Sequence, residues 1–156
     1  MRAEHIRTLY DHHISTNRRL WDSSIMTLSD EQFTRPLDYS VGSIRHQCVH
    51  LMSIDERWFS GLRGEPLPDF LDPLKFPTRA AVRAYWDIVE TRMTDYLSRL
   101  TDETLDGLMN EIPVWAVLQH VALHGADHRA QMLAMLHGMG APTFAQDFIY
   151  RFFTRK

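Results

Sequence analysis

A chain of 156 residues is the size of one ordinary domain with a single sizeable core. Its 44% hydrophobic and 24% charged content, with seven Gly and seven Pro, excludes a disordered or fibrous chain. The net charge is -3 and Arg is interleaved with Asp and Glu, so no basic stripe for nucleic acid is formed. Cys48 is the single cysteine and can make no intramolecular disulfide, and "MRAEHIRTLYDHH" is too polar for a signal peptide. No run of about 18 apolar residues could span a bilayer. A cytoplasmic location, with neither nucleic acid nor membrane as partner, is therefore expected. Nine histidines against one thiol mean that any metal site should be built from imidazoles.

Along the chain, Ile6, Leu9, Tyr10, Ile14, Leu20, Trp21 and Ile25 recur close to a 3.6-residue period, which predicts one long helix from Arg2 to about Thr27. Ser29 and Gln32 stand at capping-box spacing and predict a short helical turn that Pro36 ends. A second long helix is expected to start at Ser40 as N-cap and to reach about Leu62, with Gly64 and Pro66 as stop signals. Residues 63–77 hold four prolines and form the one long connection. Thr78 caps a third helix whose buried side includes Val82, Trp86, Val89, Met93 and Leu97. "TDETLDG" supplies a further turn. The fourth helix is expected to begin near Pro113 in a first-turn position, without a good side-chain cap, and to run to about His137. The tail "TFAQDFIYRFFTRK" has four Phe and is expected to form a short helix or a dimer contact.

Four long amphipathic helices, with no strand-length alternation and no internal repeat, predict an all-α single domain over 1–156, a four-helix bundle. The long middle connection leaves helices 2 and 3 free to be other than immediate antiparallel neighbours.

"QHVALHGADHRAQ" carries His120, His124 and His128 at a spacing of four. Residues four apart on a helix differ by about 40° in azimuth and about 6 Å in height, so two such imidazoles can share one cation. Three cannot, because His120 and His128 lie about 12 Å apart along the axis. The pair is His120 with His124, or His124 with His128. Another helix must complete the site: His46 or His50 on helix 2, or His5, His12 or His13 on helix 1. His50 lies among Val49, Leu51 and Ile54 and is the better placed of its pair to face inward. His5, His46 and His137 read as surface or packed residues. Spacing alone goes no further.

"LSDEQFTRPLDYSVGSIRHQCVHLMSIDERWF" and "VWAVLQHVALHGADHRAQMLAML" resemble the DinB-like family, also described as DfsB or YfiT-like metal-dependent enzymes, over nearly the whole chain. In the first, a Ser-capped helix carries a histidine followed by an acidic residue and an aromatic pair. The second is similar to the family's fourth-helix motif. The resemblance implies a divalent ion held by His50, His124 and His128, with His120 at a non-ligand position. Ala130 stands where the family often has Gly, and Asp127 stands where a further His is common; Asp127 is expected to face water. Three imidazoles suit Zn, Ni, Co or Fe, with Zn or Ni expected, and leave a position open for a reacting group.

By the same resemblance, the expected activity is a low-molecular-weight-thiol S-transferase that uses a thiol of the bacillithiol or mycothiol kind on small electrophiles. A metal-dependent hydrolase and a non-enzymatic, stress-induced metal-binding protein are the alternatives. A homodimer is expected. No general base is evident: Asp55 and Glu56 are about 140° and 240° around the helix from His50. Arg57 returns to within about 20° of it and is read as an ion-pair residue, with an anionic group of the thiol as its functional alternative. Tyr10, Trp58, Trp86 and Trp115 are read as core. Gln131 is a candidate to support a ligand by hydrogen bonding.

Overall fold

The computed structural model describes residues 1–153, and the last three residues of the predicted tail lie outside them. The described chain is mostly helical: α1 (Ala3–Ser23), α2 (Asp30–Thr34), α3 (Ile44–Leu62), α4 (Arg79–Ser98), α5 (Asp102–Asp106), α6 (Val114–Gly138) and α7 (Tyr150–Phe153). Two short strands, β1 (Leu108–Met109) and β2 (Ile112–Pro113), pair antiparallel.

Each long helix buries the stripe its periodicity defines. Ile6, Tyr10 and Leu20 on α1, Leu51 and Phe59 on α3, Val82, Trp86 and Val89 on α4, and Leu118, Val121 and Met132 on α6 are all buried in one core. The side-chain pairings give the helix directions. Tyr10 donates to the Leu118 carbonyl and Arg129 donates to Asn17, so α1 and α6 run in the same direction. Gln47 meets His128 and His50 meets His124, so α3 runs against α6. Arg7 donates to the Leu100 carbonyl and Arg18 to Glu90, so α1 runs against α4.

Cys48 lies near Arg83 and Glu56 pairs with Arg92, so α3 and α4 are neighbours that run the same way. A parallel pair obliges the chain to travel back along the molecule between them. The 19 residues of α3 rise about 28 Å, well within the reach of the extended residues 63–78. The long connection thus has the length its topology requires.

Several boundaries depart from the sequence reading. α1 stops at Ser23, where a 3-10 turn over Ile25–Thr27 turns the chain off the axis and buries Ile25 and Leu28. Ser43, and not Ser40, caps α3, its hydroxyl accepting from the His46 N–H. Ser40 has φ +52° and Gly42 φ +105°, so a tight turn occupies the segment where the helix was expected to begin. α6 starts beside Pro113 as expected, but Pro113 is its N-cap and the end of β2 and does not lie in its first turn. Asn110 and Glu111, both at positive φ, make the tight hairpin between the strands. α6 has no side-chain cap, and the Val114 N–H is instead satisfied by the Gly107 carbonyl at 3.0 Å.

Candidate metal centre

α3 and α6 cross where each carries histidine on its inner face. His50, His124 and His128 offer one ring nitrogen each, all within 4.8 Å of one another. His50 Nε2 and His124 Nε2 are 3.4 Å apart, and the His128 ring lies 4.5 Å from that of His50 and 4.4 Å from that of His124. Two nitrogens bound at about 2.0–2.1 Å to one tetrahedral ion stand about 3.3–3.4 Å apart. The His50–His124 separation is therefore one that a shared cation fits.

His128 is held by a chain of amides. Its Nδ1 lies 2.8 Å from Gln47 Oε1. The Gln47 amide nitrogen donates to Gln131 Oε1 at 3.4 Å and to the Met135 sulfur at 3.8 Å, which fixes its oxygen toward His128. Nδ1 must then carry the hydrogen, and Nε2 is left bare for a ligand bond. Gln131 is steadied in turn by the Ser40 hydroxyl and by Asp127 Oδ2 at 3.4 Å. This is the hydrogen-bonding role expected of Gln131, but exerted through Gln47.

Gln47, three residues before His50 on the same face of α3, was not singled out from sequence. Its spacing from His50 was the available signal. Asp127 is exposed as expected, although it also anchors Gln131.

Burial keeps the cluster neutral. His124 is pushed down to about 4, first by desolvation and then by the neighbouring His128 and His50 rings. His50 and His128 are also lowered, chiefly by burial. Neutral imidazoles are the form that binds metal. His124 Nδ1 is buried without a hydrogen-bond partner, so its surroundings leave the ring less constrained than that of His128.

The remaining candidates stand apart. His120 is exposed, 6.1 Å ring to ring from His124, with its other neighbour the edge of Trp58 at 5.3 Å. His46 bonds the Ser43 hydroxyl, and His12 bonds the Gln146 carbonyl and stacks edge-on with Phe148. Tyr10 and Trp86 are core, and Trp58 is partly buried against it, but Trp115 is 39% exposed and does not belong there. The ion pair read for Arg57 is absent among the described residues. Arg57 instead donates to the Pro68 carbonyl and lies 4.0 Å over the Phe70 ring.

Behind α6 lies a polar cluster that sequence reading did not assemble. His13 Nδ1 is 3.1 Å from Arg129 Nη1, and Arg129 also donates to Asn17 Oδ1 at 2.9 Å. Asn17 Nδ2 is 3.2 Å from His13 Nε2, and Asp55 Oδ2 is 4.0 Å from that same nitrogen. All four side chains are buried. Burial lowers Arg129 to about 10, while Asp55 opposes that shift. Asp55 lies off the ligand face, as its 140° offset implied, yet points inward to α1 and not to solvent.

Gly125 makes this cluster possible. A Cβ there would lie 2.2 Å from His13 Cε1. The position of Gly125 between two histidines of α6, at a mid-helix site that disfavours glycine, was the sequence signal of a close approach.

Among the described residues no helix is long and apolar enough to cross a membrane. A search of curated proteins finds no match to the chain. A family model described as the DinB family matches residues 3–153. With nearly the whole chain matched, and three histidines from α3 and α6 brought together, the protein belongs to the DinB family.

Proposed function

We propose that the protein is a metal-dependent S-transferase in which His50, His124 and His128 hold Zn or Ni, and a low-molecular-weight thiol of the bacillithiol or mycothiol kind attacks a small electrophile. The observation that carries the metal reading is the convergence of three neutral ring nitrogens within 4.8 Å, with His128 held in one tautomer by Gln47. The thiol reading rests on family resemblance. A divalent ion held by these three imidazoles would supply a Lewis acid able to lower the pKa of a bound thiol. In the transfer, sulfur bonds to the electrophilic carbon, the leaving group departs with its bonding pair, and the thiol proton passes to solvent. The chain's own contribution is to fix His128 through Gln47 and to keep all three rings neutral.

In the same reading the four long helices form a four-helix bundle, supported by the α1–α6, α6–α3, α3–α4 and α4–α1 packing. Exposed Phe152 and Phe153 on the tail support a homodimer.

The test is metal analysis of purified protein, followed by a panel of thiols and electrophiles, with a His50→Ala, His124→Ala double variant alongside. Stoichiometric metal that is lost in the variant supports the site. A Co-substituted protein whose absorption shifts with thiol supports S-transfer; metal without any thiol response favours hydrolysis.

A further inference from the structure

α3 continues past His50 into a cleft of about 410 Å³ whose walls include Ile54, Trp58, Gly61, Phe70 and Met109, with Arg57 among them. Such a volume is typical of a small-molecule site, and so is an apolar lining with few polar groups. Among the described residues no histidine lines it, and the link to the histidines runs along α3 and through Trp58. Ile54 lies one helical turn beyond His50, and Trp58 one turn further, edge-on to His120, which in turn neighbours His124.

Arg57 is the charged group of this lining. At the end of α3 and on α4, Arg63, Arg83 and Arg92 hold carboxylates, whereas Arg45 on α3 holds none among the described residues. Arg57 has no carboxylate partner among the described residues. The Pro68 carbonyl takes one of its five N–H groups, and Phe70 covers one face of the guanidinium, so its plane is fixed while donors remain. A fixed planar cation beside an apolar wall matches a carboxylate attached to a flat apolar body. Seven residues separate Arg57 from His50, about 10 Å along the axis.

We propose that this cleft binds the electrophile, and that the electrophile is an organic acid with a flat, apolar body whose carboxylate is held by Arg57. The assignment of this ligand as the electrophile rests on the transferase reading above; binding of the acid to the cleft does not require metal.

The test titrates metal-free full-length protein with 2-naphthoate and with the neutral 2-naphthalenemethanol, following tryptophan fluorescence and amide chemical shifts. Naphthoate is expected to bind at least about tenfold more tightly, as a charge-assisted hydrogen bond would give. Arg57→Gln should abolish that preference and Arg57→Lys restore part of it. Gly61→Leu should weaken both ligands, because a Cβ at Gly61 already meets Met109 Sδ at 3.1 Å and the longer chain fills the cleft. The His50→Ala, His124→Ala variant should bind naphthoate as before. Equal binding of acid and alcohol, a preference that survives in a folded Arg57→Gln protein, or no binding of either at millimolar concentration would overturn the proposal. Naphthoate binding to a protein that proves unable to hold metal would leave the cleft standing and remove the transferase reading instead.

Discussion

The two flanks of α6 use histidine in opposite ways. Toward α1, His13 Nδ1 accepts from Arg129, so Nε2 carries the ring hydrogen, with Asp55 Oδ2 4.0 Å from it, and neither nitrogen offers a lone pair to a cation. Toward α3, His50 and His124 turn Nε2 toward each other, and His128 keeps one nitrogen bare because Gln47 engages the other. The adjacent residues His124 and Gly125, and again His128 and Arg129, divide between the two flanks. What separates a structural imidazole from a ligand is thus the engagement of its nitrogens, more than its burial: His13 is 1% exposed and His128 only 8%.

That comparison can be broken most forcefully by exchanging its halves. His124→Ala should lower metal affinity by more than the roughly 100-fold that loss of a supporting hydrogen bond gives, whereas His13→Ala should keep its metal and lose stability. Metal content after dialysis, measured beside urea denaturation, checks both. Loss of metal in a folded His13→Ala protein would erase the distinction.

Gly125→Ala acts on the closed flank alone. With a Cβ 2.2 Å from His13 Cε1, either the imidazole or α1 must move, at a cost of about 3 kcal/mol. Urea unfolding should show it, and adding His13→Ala should recover a good part. On the open flank, Gln47→Leu should cost about 10- to 100-fold in metal affinity with little change in helicity, while Gln47→Glu, which keeps an acceptor for Nδ1–H, should cost less. Competition against a chromophoric chelator measures these differences.

The smallest effect is on pH. In metal-free protein the folded state holds His124 at about 4 against an ordinary 6.5, so between those values the unfolded chain binds more protons. Stability contributed by the neutral ring is complete above about pH 6.5, falls as pH drops toward 4, and changes no further below it. His124→Gln should flatten that part of a Tm-against-pH curve recorded in chelator. An unchanged slope would mean that the His50 and His128 neighbours carry the dependence.

The sequence was most informative where one local rule decided the outcome. The apolar period located the buried stripes of α1 and α4, and Ser29 with Gln32 forms the capping box their spacing implied. Spacing reduced the α6 histidines to two pairs, and resemblance, not helix geometry, selected His124 with His128 and added His50. Less was legible where two distant segments compete for the same residue. Ser40 and Ser43 are both good caps, and the turn at Gly42 decides between them. Asp55 could be assigned an angle but not a neighbour, because the angle does not say that α1 packs there with His13. The β1–β2 hairpin escaped because a two-residue strand has no alternation to detect. Arg57 looked like half of an ion pair because arginine on a helix usually is; its true contacts come from the proline-rich connection.

That connection has a consequence beyond closing the chain. Since α3 and α4 run the same way, residues 63–78 must pass alongside the molecule, and in doing so they set Pro68 and Phe70 against Arg57 and close one side of the cleft. The histidines belong to helices whose inner faces tolerate few exchanges, while the facing wall belongs to a segment whose surface positions can vary with little cost to the helices. The wall of the cleft can therefore be varied without touching the inner faces of the helices, and substitutions at the exposed Leu67 or Phe70 form a natural library for doing so.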